Sequence, residues 1–526
     1  MTNRYLYITL LAVLGFNADF VAGKTVTKGV PHLVVNITID QLRSDYLETF
    51  APYYSSKGFL RLLSEGMVYT NVSYPFTPVD RASATAAIAT GVTPYYNNII
   101  GRQWLNRETL RPVGCVDDKK YTGLGTLDTS SPSKLSTSTL SDELKMASGG
   151  KAVVFAIAPF RDAAVLSGGH AADGALWIDD WQGEWCSSTY YFKSMPAWIQ
   201  DYDRQQAPCR RIDNMEWTSS PLVAKDASNI ILTSEQAPFK YRFAGQRRYQ
   251  EFKTSALVNA EVTDVALQCV ANNGMGSDRV TDLLNITYYA GRFNDKDVTD
   301  CQSEILDTYI RLDSELGRLI DNLENRLGLV NVLFVLTSTG YCDEEKVDYN
   351  AYRIPSGTFY MKRASNLMNI YMGAIWGQGN YVETTYRNQM FLNRKLLETK
   401  KISMADALGR AQEFLSMMTG IRNVYTSLQL LTSNDEQIQR VRNAYNPENC
   451  GDIVIEAAPG WHILNEDTYE SELSRAAYIQ FPIIFYGAGI TSEQIPQPVT
   501  IDQIAPTIAR TIRIRAPNAC SSKPLF

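Results

Sequence analysis

The sequence predicts an α/β fold: a three-layer α/β/α sandwich with a mostly parallel central sheet and a loop-rich cap insertion. Three observations predict it. Short Val- and Ile-rich runs, each followed by a helical pattern, recur at His32 to Ile39, Ala152 to Ile157, Val330 to Leu336, Asp452 to Glu456 and Pro482 to Tyr486. Such runs mark strands covered on both faces. An amphipathic helix precedes the third run, with Ile305, Tyr309, Leu312, Leu316, Leu319 and Leu323 spaced by three and four residues. Finally, the stretch from Gly101 to Phe252 is rich in Trp, Tyr, Ser and Asp without a regular period. It is expected to form a cap over the carboxyl edge of the sheet, where ligands bind in such folds.

The chain begins with a short polar start, Met1 to Arg4, then an apolar run from Tyr5 to Phe16 and small residues at Val21-Ala22-Gly23. This is the pattern of a cleavable secretory signal, so residues 1–23 are read as a signal peptide and 24–526 as the mature domain. The apolar run falls short of the roughly 20 residues that span a bilayer. No transmembrane span is expected, and the mature protein is expected in the periplasm or at the cell surface.

Of 526 residues, 45% are hydrophobic and 20% charged, the composition of a packed globular chain. The net charge of −6 comes without a basic stripe, which excludes nucleic acid as the main partner. Eight cysteines (115, 186, 209, 269, 301, 342, 450 and 520) in an exported chain favour disulfides, with pairing left open.

Further motifs run in order along the chain. Asp40 closes the first strand in Ile39-Asp40-Gln41-Leu42-Arg43-Ser44-Asp45. Gly58-Phe59-Leu60-Arg61-Leu62-Leu63, Ala89-Thr90-Gly91-Val92-Thr93-Pro94 and Gly169-His170-Ala171-Ala172-Asp173-Gly174 follow. Then come Asp307-Thr308-Tyr309-Ile310-Arg311, Pro459-Gly460-Trp461, Pro482-Ile483-Ile484-Phe485-Tyr486-Gly487 and Ile504-Ala505-Pro506-Thr507. Together they resemble the alkaline phosphatase superfamily, in its type I phosphodiesterase/nucleotide pyrophosphatase branch and the bacterial phosphate-irrepressible phosphatases.

The resemblance implies two zinc ions held by three Asp and three His, with a Thr or Ser attacking phosphorus from a helix amino end. Carried over residue by residue, only Asp40 keeps a metal-ligand position. Arg81 stands at the nucleophile and Arg102 at the phosphate-binding Asn. Tyr288 and Arg292, around Gly291, replace an Asp and a His. Ser338-Thr339-Gly340 stands for Asp-His-Gly, and Ser471 lies near the last His. The Lys and Arg that touch phosphate map to Phe160 and Asp162. Histidine supply points the same way, because His32, His170 and His462 are the only three in the chain.

The resemblance therefore implies a catalytically silent family member with no cofactor, binding an envelope protein or an anionic small molecule. The alternative is a divergent zinc-dependent phosphoric ester hydrolase using Asp80, Ser83 or Thr85. Arg81, Arg102 and Arg292 are expected to converge where the metals would lie. They would form an anion pocket or, as the favoured arrangement, a plug in which Arg81 or Arg292 pairs with Asp40.

Overall fold

The computed structural model describes residues 29–226, 238–342, 349, 351–466, 471–473 and 479–526. The expected signal peptide, 1–23, lies outside the described residues.

The strand Leu33–Asp40 is buried along its whole length. Its alternate side chains feed two different cores: Leu33, Val35, Ile37 and Ile39 pack into one, and Val34 into the other. Val332–Ser338 repeats the pattern, with Phe334 and Leu336 on the first face and Leu333 and Val335 on the second. A strand that is apolar on both faces must be covered on both faces, which is the three-layer sandwich.

Five strands at the centre run parallel, in the spatial order Val332–Ser338, Leu33–Asp40, Asp282–Tyr289, Val154–Ile157, Gly174–Ile178. Ile483–Gly487 and Met67–Tyr69 extend the sheet on one side, and Trp185–Ser188 and Gly123–Leu124 on the other, each entering through an antiparallel pair. With Glu493–Ile495 at the edge the sheet has ten strands. The helix Gln302–Leu327 covers one face and buries all six apolar residues that mark it in the sequence.

Three expectations are corrected. Segment 101–252 is more than a loop-rich cap around the strand foreseen at Ala152 to Ile157, because Gly123–Leu124, Gly174–Ile178 and Trp185–Ser188 also lie in the central sheet. Its aromatics Trp185, Trp217, Tyr249 and Phe252 join the main core. The strand foreseen at Asp452 to Glu456 forms, as Ile453–Ala457, but in a separate four-stranded antiparallel sheet with its own core. The eight cysteines stand as thiols, with no disulfide between them. Five of them are buried in the core packing of their own segments.

The histidines are also accounted for locally. His462 Nε2 meets Thr358 Oγ1 at 2.7 Å in a small side sheet, and His32 opens the first strand, where its amide donates to Asn331 O at 2.8 Å. At His170, Nδ1 lies 2.9 Å from Asp142 Oδ2 and Nε2 lies 3.0 Å from Leu135 O. Both neighbours can only accept, so the ring is held with both nitrogens protonated. The hydrogen bond to Asp142, with its charge, lifts the imidazole above its ordinary 6.5 despite partial burial. A raised folded value means that the stabilisation is complete below 6.5 and is lost as pH rises through that value. His170→Ala should therefore lower the melting temperature clearly near pH 6, with a smaller gap to the wild type near pH 9. A gap that stays constant or widens with pH would count against the imidazolium.

Candidate functional site

The carboxyl ends of three parallel strands meet at one place. Asp40 ends the first, Tyr288-Tyr289 the second and Ser338 the third. The helix Arg81–Thr90 points its amino end at the same place. Asp80 caps it: Oδ1 accepts from Ser83 N at 2.9 Å, while Asp80 N donates to Ser83 Oγ at 3.0 Å. The helix is Ala-rich and wholly buried, so its first residue is delivered into the interior.

That first residue is Arg81, a buried cation at a helix amino end, where the helix dipole opposes it. Three neighbours compensate. Its Nε donates to both Asp162 oxygens, at 3.0 and 3.2 Å, and Nη2 lies 3.0 Å from Asp162 Oδ1. Its Nη1 reaches Asp40 Oδ2 at 3.4 Å. Its guanidinium carbon sits 3.8 Å from the centre of the Phe160 ring, a cation–π contact.

The two carboxylates differ. Burial pushes the Asp40 carboxyl up, against the pull of Arg81 and of the Thr339 hydroxyl, which donates to Oδ1 at 2.9 Å. Burial also works against Asp162, but Arg81 and Arg102 outweigh it and hold that carboxyl below the usual range. Asp162 thus carries the charge that balances Arg81.

Ser338, Thr339 and Tyr288 are each engaged by local partners. Ser338 Oγ donates to Leu42 O at 2.8 Å, and Gln41 N donates to Thr339 Oγ1 at 2.9 Å. The Tyr288 hydroxyl is buried against Thr263 Oγ1 at 2.9 Å. Ser471 falls in the short strand Ser471–Leu473, paired with Leu464. Among the described residues, no three His, Cys, Asp or Glu side chains are grouped to hold a metal ion. A guanidinium against the retained carboxylate, with Thr339 and Arg292 where the resemblance implies imidazoles, does not fit a two-zinc centre.

The alternative nucleophiles are also engaged. Ser83 Oγ is tied to Asp80 in the cap, and Thr85 Oγ1 donates to Arg81 O at 2.7 Å. Asp80 Oδ2 accepts from Arg102 N at 2.7 Å.

Arg81 and Arg102 line one cavity of about 420 Å³, together with Phe160 and Asp162. Arg292 does not join them. Its carbonyl accepts from the Tyr289 hydroxyl at 2.7 Å, and its charge lies near Cys301. The structure therefore brings two of the three arginines, Arg81 and Arg102, to one cavity and leaves Arg292 outside its lining. Sequence reasoning missed Asp162 and Phe160 as the partners of Arg81. The available signal was a paired change, a cation gained at the nucleophile and a carboxylate gained at a phosphate contact.

Residues 34–478 match the type I phosphodiesterase/nucleotide pyrophosphatase family. Alkaline phosphatase PafA of Elizabethkingia meningoseptica is 28% identical over 98% of both chains. Alkaline phosphatase PhoV of Synechococcus elongatus is 26% identical over 94% of this chain and 92% of the relative. A protein of Myroides odoratus named calcium-transporting ATPase is 27% identical over 94% of each chain. The crystal structure of PafA superimposes with a TM-score of 0.80 at 25% identity, covering 94% of this chain and 98% of that one. The family match spans most of the chain, and the chain belongs to the type I phosphodiesterase/nucleotide pyrophosphatase family.

Proposed function

We propose that this chain is an exported, catalytically silent member of its family that acts by binding an anionic ligand or an envelope partner. One observation carries the reading: the positions of the nucleophile and of two phosphate contacts have become a mutually satisfied cluster of Arg81, Asp162 and Phe160, closed on Asp40. Phosphoryl transfer needs a nucleophile and concentrated positive charge at the reacting phosphate. Here the positive charge is spent on two carboxylates of the chain itself. Ser83 and Thr85 hydroxyls, the nearest replacements, donate to Asp80 and to Arg81 O.

A second reading, a divergent metal-dependent phosphoric ester hydrolase, is favoured by the names of the relatives, two of which are alkaline phosphatases over nearly their full length. Zinc content of the purified protein, measured beside hydrolysis of p-nitrophenyl phosphate and bis-p-nitrophenyl phosphate, separates the two. The silent reading expects substoichiometric zinc and no turnover above buffer. Stoichiometric zinc with turnover that disappears in Asp40→Ala would overturn it and establish the second.

A further inference from the structure

The site cavity contains groups that the ion-pair cluster leaves unused. Arg102 is exposed on its wall, and among the described residues its guanidinium makes no ion pair or side-chain hydrogen bond. Trp177, only 1% exposed, also lines the cavity and keeps its indole N–H buried without an acceptor.

At the rim stands Trp181, 67% exposed. Its exposure is not that of a loose loop. Trp181 N and Gln182 N both donate to Asp179 Oδ1, at 2.9 and 2.6 Å, and Asp179 is itself buried, accepting from Thr126 Oγ1 at 2.6 Å. Gly183 closes the turn with φ of +67°, where a Cβ would lie 2.2 Å from the Tyr249 ring. The indole is a large apolar face held out over a polar cavity by a fixed backbone.

The charge balance narrows the ligand. Five basic and three acidic side chains line the cavity, an excess of only two positive charges. Arg81 is committed to Asp162, Arg161 to Asp117 and Asp128, and Lys253 to Asp180. The carboxylates of Asp128 and Asp180 are about half exposed, so they retain lone pairs for hydroxyl donors and repel a dianion. The fifth, Arg387, lies over the Tyr386 ring, its guanidinium carbon 5.7 Å from the centre, and the fork of Arg102, which makes no ion pair among the described residues, matches a planar carboxylate, which it can bind through two parallel hydrogen bonds. A tetrahedral dianion would need more donors, and those of Arg81 are spent.

Resting on the reading of the site as metal-free, we propose that this cavity binds a carboxylate-bearing sugar, a uronate. Its carboxylate pairs with Arg102, its hydroxyls face Asp128 and Asp180, and its apolar ring face lies on Trp181. Saturation-transfer NMR, which detects weak binding, tests this on the full chain with glucuronate, digalacturonate, glucose, glucose 6-sulfate and glucose 6-phosphate. Either uronate should bind at least about tenfold more tightly than glucose and than both esters. Arg102→Ala should remove most of that affinity, and Trp181→Ala should weaken it several-fold with circular dichroism unchanged.

Absence of uronate binding, equal binding by Arg102→Ala, or tighter binding of either ester would overturn the proposal. Zinc and hydrolysis measured on the same samples keep the two readings apart. Inactive, zinc-poor protein that ignores uronates sinks only the ligand assignment, whereas turnover sinks the reading beneath it.

Discussion

Arg81→Met is expected to cost about 3–5 kcal/mol of folding stability, the usual loss when one partner of a buried ion pair is removed. Asp162 and Asp40 are 10% and 0% exposed at the side chain, so water solvates little of either carboxylate. Asp162 would lose three contacts to the guanidinium at 3.0–3.2 Å and would face Asp40 without a cation between them. Methionine fills much of the volume of the arginine stem and can still pack on Phe160, so the loss reads the charge more than a cavity. A chemical denaturation midpoint on both proteins measures it. The double variant Arg81→Met/Asp162→Leu should recover at least half of the loss, because replacing both members of a buried pair by apolar groups is often nearly neutral. A single variant as stable as the wild type, or a double variant less stable than the single, would falsify the plug.

The same cluster shows what could be read from the chain alone. Central strands were legible because a run such as Leu33-Val34-Val35 has no polar face, and the helix Gln302–Leu327 because its apolar residues repeat on one side. Asp40 was legible through its place at a strand's carboxyl end. The partners of Arg81 were not: Asp162 lies 81 residues away in sequence, and no local pattern links the two. Arg292 failed for a related reason. Its neighbour Phe293 is drawn into an aromatic cluster with Trp217 and Tyr241, which places the turn after Tyr289 by packing rather than by charge. Segment 101–252 misled because strands of two to five residues, such as Gly123–Leu124 and Gly174–Ile178, are too short to show a period among so many Ser, Asp and Trp residues. The cysteine expectation rested on an even count, and a count carries no information about whether two thiols lie within bonding distance.

Trp217→Ala is expected to be the other large loss, about 3–5 kcal/mol, through a mechanism unrelated to the site charges. Trp217 is fully buried in the short strand Glu216–Thr218. Its ring meets Phe239 at 4.9 Å and Phe293 at 5.0 Å, both edge-on, so truncation opens a cavity between segments far apart in the chain. Its indole N–H also donates to Asp307 Oδ2 at 2.7 Å. Asp307, fully buried on the helix Gln302–Leu327, would retain Ser220 N and Arg311 Nε as donors. Trp217→Phe separates the two contributions: it keeps most of the ring and loses the hydrogen bond, and should cost roughly 1.5–3 kcal/mol, the usual worth of a bond to a charged acceptor. Guanidinium unfolding of both variants reads the difference. If Trp217→Ala stayed within about 1 kcal/mol of the wild type, far below the range for a truncated core aromatic, the packing of 101–252 onto the main core would be much looser than its burial implies. Because Phe293 follows Arg292 directly, the same variant should also free the turn after Tyr289. Faster amide exchange at residues 291–295 than in Trp217→Phe would show that this aromatic cluster is what keeps the third arginine out of the site.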